Sequence, residues 1–67
     1  MISIWINGEK KEINEGTNLS DLLKDLGVNV PSVVIELNRE IALREAYPSV
    51  NLKEGDRIEI VHFVGGG

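Results

Sequence analysis

Apolar and polar positions alternate from the first residues: Ile2, Ile4 and Ile6 are separated by Ser3 and Trp5 and followed by Asn7. A period of two is that of a strand with one buried face. Asn7-Gly8 comes next. This dipeptide suits a type I′ hairpin turn, because both central positions need φ > 0. The return strand is predicted over residues 9–14, and its single apolar residue, Ile13, marks it as an edge. After Gly16-Thr17-Asn18 the period changes. Leu19, Leu22, Leu23 and Leu26 fall at i, i+3, i+4 and i+7, one face of a helix. Thr17 or Asn18 can cap its first N–H groups, Asp21 suits the positive end of the helix dipole, and Gly27 is a natural stop. A helix of two to three turns is not stable alone, so its leucines must lie on a sheet.

Pro31 ends a short connector. Residues 32–37 carry Val33, Val34 and Ile35 and read as a well-buried strand. Asn38-Arg39 is a tight turn into a short strand at residues 40–43. Residues 44–50 are irregular, with a helical turn stopped by Pro48. Glu54-Gly55-Asp56 is a further turn, and residues 57–64 form the longest apolar run, the candidate central strand. The order β-β-α-β-β-β predicts an α+β fold with one helix on one face of a mixed sheet of four to five strands. The first and last strands, both strongly apolar, are placed side by side and parallel, since the chain crosses over through the helix. This is the ubiquitin-like β-grasp arrangement. Its domain spans residues 1–64, and residues 65–67 form a flexible glycine tail. The predicted core is Ile2, Ile4, Ile6, Leu19, Leu22, Leu23, Leu26, Val33, Ile35, Ile58 and Ile60.

With 67 residues and no cysteine, the chain is one small domain that has no disulfide or thiolate metal site to support it. A formal net charge of −4 is a poor match for nucleic acid, whose phosphates call for Lys and Arg. A soluble partner with a basic docking face fits better. No apolar stretch approaches a membrane span, and the first residues lack the form of a signal peptide. The expected location is cytoplasmic.

Candidate chemistry is sparse. His62 is the only histidine and pairs with no nucleophile or metal-ligand pattern. The acidic residues Glu9, Glu12, Glu15, Glu54 and Asp56 read as solvated surface. No glycine-rich phosphate loop precedes a helix. No catalytic residue and no metal site are assigned, and the chain is not expected to be an enzyme. Strand alternation does suggest a docking face. If Ile58 and Ile60 face the helix, then Glu59, Val61 and Phe63 face away, as do Trp5, Val34 and Glu36. Trp5, Val34, Val61 and Phe63 would then gather on the open sheet face near the root of the tail, with Glu36 and Glu59 at the rim steering basic partners. The alternative is that the loop at residues 44–48 covers this patch.

Asn7-Gly8, Thr17 with Leu22-Leu23, Asn38, Arg44-Glu45, Gly55-Asp56 and the tail Val64-Gly65-Gly66-Gly67 stand in an order and spacing that resembles the ThiS family, the sulfur carrier proteins of thiamin (thiazole) biosynthesis. The resemblance covers the whole chain. It implies that Gly67 is the modified residue. An E1-like adenylyltransferase (ThiF) would adenylate its carboxylate with ATP. Sulfur from a cysteine desulfurase or sulfurtransferase system would convert the adenylate to a thiocarboxylate, and thiazole synthase (ThiG) would take the sulfur. ATP is used by the partner, and no cofactor is bound by the chain itself. Gly65, Gly66 and Gly67 would thread into the partner sites, where the absence of Cβ atoms allows a narrow passage. Two alternatives remain from the sequence: a carrier like the small subunit of molybdopterin synthase, or a non-covalent ubiquitin-like binding module.

Overall fold

The computed structural model describes residues 1–63; the predicted tail lies outside the described residues. Strand β1 (Ile2–Ile6) turns at Asn7-Gly8 into β2 (Glu9–Ile13). Both turn residues have positive φ, 49° and 84°, as a type I′ turn demands. Helix α1 (Leu19–Asp25) follows, and of the two cap candidates Asn18 is the one used: its side chain accepts the Asp21 N–H at 2.8 Å. Thr17 instead donates its hydroxyl to the Asn14 carbonyl at 2.7 Å. At the other end the N–H of Gly27 bonds to the Lys24 carbonyl and that of Val28 to the Leu23 carbonyl, each at 3.0 Å. With Gly27 at φ 72°, this is a Schellman stop.

The remaining strands are β3 (Val33–Leu37), β4 (Glu40–Ala42) and β5 (Arg57–His62). They complete a five-stranded sheet in the order β2-β1-β5-β3-β4. β1 and β5 are parallel neighbours and the other pairs are antiparallel. The last apolar run therefore is the central strand, and β2 is an edge, as the alternation indicated. Four strand boundaries are shorter than predicted: β2 stops at Ile13, β3 starts at Val33, β4 stops at Ala42 and β5 at His62.

The core lies between the sheet and α1. Ile4, Leu19, Leu22, Leu23, Ile35 and Ile58 are almost fully buried, and burial of each such side chain contributes about 1.5–3 kcal/mol. Val33 is buried with them. Four predicted core residues differ. Leu26 is 37% exposed, because the Schellman turn ends the helix at Asp25 and swings the next residue outward. Ile2, Ile6 and Ile60 are half-buried and pack against the core from its perimeter. Three residues missing from the prediction belong to the core: Ile13, Tyr47 and Leu52. Ile13 sits opposite Ile2 in the β1–β2 register. Tyr47 comes from a 3-10 helix at Arg44–Ser49 that includes Pro48 rather than being stopped by it. This segment packs against α1, so it covers the helix side of the molecule rather than the open sheet face. Burial pushes the Tyr47 hydroxyl above its ordinary pKa of 10.0, and nearby Arg44 lowers it in part.

Candidate functional site: the last strand and the open sheet face

β5 is the strand that leads to the glycine tail, and side-chain amides and a carboxylate fasten it. At its start, Asn38 accepts the Arg57 N–H through Oδ1 at 2.9 Å and donates through Nδ2 to Asp56 Oδ1 at 3.0 Å. Asp56 Oδ2 accepts the Lys53 N–H at 2.8 Å. Asp56 is only 6% exposed, so the reading of this residue as solvated surface is wrong: its charge is buried and held by two donors. Further along, Asn7 Oδ1 accepts the Ile60 N–H at 2.8 Å, and its Nδ2 reaches the Ile60 carbonyl at 3.4 Å. Asn7 and Asn38 both occupy turns at positive φ, 49° and 52°. Each turn residue thus has a second task, clamping the central strand from one side. At the end of β5, the Phe63 N–H bonds to the Ser32 carbonyl at 2.9 Å.

The open face divides into two parts. Val34 stands opposite Val61 in the β3–β5 register, and Phe63 is the next residue on the same face. Val61 is 52% and Phe63 62% exposed, while Val34 is half-buried. These three form an apolar strip at the root of the tail. Trp5 does not join them. It pairs with Arg57 at the opposite end of β5, four residues and about 13 Å from Val61 at the rise of a strand. There the Arg57 guanidinium lies 6.0 Å from the Trp5 ring centroid, the outer range of a cation–π contact. Glu36 and Glu59 are not a rim. They are direct cross-strand partners, between Trp5 and the Val34–Val61 pair. They share a shallow cleft with Trp5, Arg39 and Arg57. Like charges in direct opposition are unfavourable, and the two arginines balance them by count. The cleft therefore carries no acidic excess with which to steer a basic partner.

Alternation drew the face from β1, β3 and β5 alone, and it missed Ile41. That residue stands opposite Glu36 on β4 and is 66% exposed. Leu43, just past β4, is 61% exposed. A three-residue strand is too short to show a period, so only the register of β4 on β3 places Ile41. His62 is exposed at the end of β5, opposite Val33. Among the described residues no cluster of His, Cys, Asp and Glu could hold a metal ion, and no helix is long and apolar enough to cross a membrane. Gly65, Gly66 and Gly67, the sites assigned to the tail, lie outside the described residues.

A single helix laid across a five-stranded mixed sheet, with the parallel first and last strands side by side, defines a β-grasp protein of the ubiquitin-like type. The ThiS family matches residues 4–67, and the chain belongs to that family. It is 41% identical over 65 residues to the "Sulfur carrier protein ThiS" of Bacillus subtilis, covering 96% of this chain and 98% of that protein. It is also 42% identical over 66 residues to a "Thiazole synthase" of Magnetococcus marinus, covering 98% of this chain. The chain spans only a fifth, 20%, of that synthase's length. Among solved structures, the crystal structure of thiamine biosynthesis protein ThiS from Geobacter metallireducens superposes with a TM-score of 0.86. The two are 35% identical, over 98% of this chain and 100% of that one.

Proposed function

We propose that this chain is a sulfur carrier of thiamin biosynthesis, acting as a protein co-substrate through the α-carboxylate of Gly67. Membership of the ThiS family and the end-to-end likeness to proteins named as sulfur carriers support the reading. The structural observation that carries it is the placement of the last strand. β5 is central, is clamped by Asn7 and Asn38, and ends beside exposed Val61 and Phe63. A rigid domain with its tail rooted at an apolar strip can dock on an enzyme and extend the terminus into its site.

The chemistry follows from the carboxylate. With an ordinary pKa near 3.3–3.7 an α-carboxyl group is ionised at neutral pH, so it can attack the α-phosphate of ATP in an E1-like adenylyltransferase, releasing pyrophosphate. The acyl adenylate now has AMP as its leaving group, where the free carboxylate had only oxide. The terminal sulfur of a persulfide supplied by a cysteine desulfurase or sulfurtransferase displaces AMP to give an acyl disulfide, and a thiol then cleaves its S–S bond, releasing the thiocarboxylate and leaving a disulfide behind. Thiazole synthase is the acceptor of that sulfur, and the existence of thiazole synthases that carry a ThiS-like portion supports this assignment. The chain supplies no catalytic side chain to these steps. It supplies the docking face and a terminus slim enough to thread.

Deleting Gly67, or adding one residue after it, tests the reading. Either change is expected to abolish sulfur loading while the unfolding curve stays that of the parent protein. Full loading of the extended chain, with no protease present to trim it, would contradict the chemistry.

A further inference from the structure

Asn7 is the one asparagine of the chain that precedes a glycine. The chain has six asparagines and no glutamine, and the other five asparagines are followed by residues with a side chain. Asparagine is a thermolabile residue. Its amide carbon is attacked by the next backbone nitrogen most readily where that residue has no Cβ to crowd the approach. Asn7 and Gly8 are both exposed, at the tip of the β1–β2 hairpin. Among the described residues the Gly8 N–H has no hydrogen-bond partner, and no atom lies within 4 Å of where a Gly8 Cβ would stand. Water therefore reaches the attacking nitrogen. The amide it would attack is engaged elsewhere: Asn7 Oδ1 accepts the Ile60 N–H at 2.8 Å, and Nδ2 reaches the Ile60 carbonyl at 3.4 Å. The clamp on β5 and the reaction with Gly8 thus compete for one side chain.

We propose that Asn7 is a site of spontaneous covalent modification, guarded by its clamp on β5, and that the reaction destroys the clamp. Hydroxide takes the Gly8 amide proton, the Gly8 nitrogen bonds to Asn7 Cγ, the Cγ–Nδ2 bond breaks, and ammonia leaves with a proton from water. The resulting succinimide adds water. Opening at Cγ gives aspartate. Opening at the α-carbonyl gives isoaspartate, in which the main chain runs through the former side chain. Isoaspartate lengthens the two-residue turn by one methylene and moves the free carboxylate onto Cα, so the Ile60 N–H loses its acceptor. Aspartate keeps an oxygen in its place. To react, Asn7 must release Ile60 and leave a turn held at φ 49° and 84°, which requires local opening of the hairpin end. Asn38 also sits at positive φ and clamps the Arg57 N–H, but its amide binds Asp56 as well and Arg39 follows it. The reaction leaves the Gly67 carboxylate untouched and loosens the strand that leads to it.

The test incubates the full chain at mildly alkaline pH, folded in one sample and unfolded in guanidinium chloride in another, with mass spectrometry and fragmentation at intervals. In the folded chain the small mass gain of NH2 replaced by OH should appear first at Asn7, about tenfold or more slowly than in the unfolded chain. The product carries one negative charge more than the parent's formal −4, so anion exchange isolates it. In the isolated isoaspartate form the Ile60 amide should exchange with solvent about tenfold or more faster than in the parent. Freshly prepared Asn7→Asp, which retains the acceptor oxygen, should keep Ile60 protected. Equal rates in the folded and unfolded chains overturn the proposal, as do the absence of any gain at Asn7 and a first gain at another asparagine. Unchanged exchange at Ile60 in the isoaspartate form overturns it too. So does equal loss of protection in Asn7→Asp, which would assign the effect to charge rather than to the rearranged backbone.

Discussion

Asp56→Ala should be among the most damaging single changes outside the apolar core. The carboxylate is 6% exposed and accepts from Asn38 Nδ2 at 3.0 Å and from the Lys53 N–H at 2.8 Å. A hydrogen bond to a charged group contributes about 1.5–3 kcal/mol net, which sets about 3–6 kcal/mol as the ceiling for the pair. Lys53 is exposed, so its freed N–H can turn to water, and the expected loss is about 2–4 kcal/mol. Asn38 loses an acceptor as well, and through it the clamp on the Arg57 N–H is weakened. A chain of 67 residues has a total stability of about 3–10 kcal/mol, so the loss is a large share of it. With a urea slope of about 1 kcal/mol per molar for a small domain, the midpoint should fall by about 2–4 M. Asp56→Asn is the informative partner. It keeps the volume, but its amide nitrogen is a donor facing another donor, so it should recover only part of the loss. A midpoint for Asp56→Ala within about 0.5 M of the parent protein would show that the buried network contributes little and that β5 is held by its ladder alone.

Phe63→Ala and Val61→Ala remove exposed side chains, so each should change stability by less than about 1 kcal/mol in urea unfolding. Each should weaken binding to the adenylyltransferase or thiazole synthase about tenfold in calorimetry. Severe unfolding with unchanged affinity would make these residues core. Tyr47 titrates higher in the folded chain than in the unfolded one. The stability tied to its neutral hydroxyl is therefore complete below pH 10 and declines as the pH rises through the raised folded value. Melting temperature followed across this range should fall more steeply for the parent protein than for Tyr47→Phe; parallel curves would contradict the assignment.

The parts of this structure that could be read from sequence are those with a local signature. The leucines of α1 have helical spacing, Asn7-Gly8 and Asn38-Arg39 have turn chemistry, and the run ending at His62 is apolar enough to be central. Leu26 continues the helical period on paper, but Gly27 stops the helix a residue too early for it to be buried. Tyr47 and Leu52 lie in segments with no period, so nothing local announces their place in the core. Asp56 reads as one more surface acid until Asn38, 18 residues away, is seen to bind it. The docking face was half legible for the same reason. Alternation places Trp5, Val34, Val61 and Phe63 on one side of the sheet, but only the register of β1 on β5 shows that Trp5 belongs to the far end. The clamp by Asn7 also depends on that register.

The central claim is that the Gly67 carboxylate is chemically transformed, which a non-covalent binding module would not require. Intact-mass measurement of the purified chain, after incubation with ATP, an E1-like adenylyltransferase and a sulfur donor, tests it most directly. The account predicts exchange of one oxygen for one sulfur, located by fragmentation to Gly67, dependent on ATP, and reversed when thiazole synthase and its other substrates are added. A mass that stays unchanged while the chain binds the same enzymes would contradict the account and leave a ubiquitin-like docking module in its place.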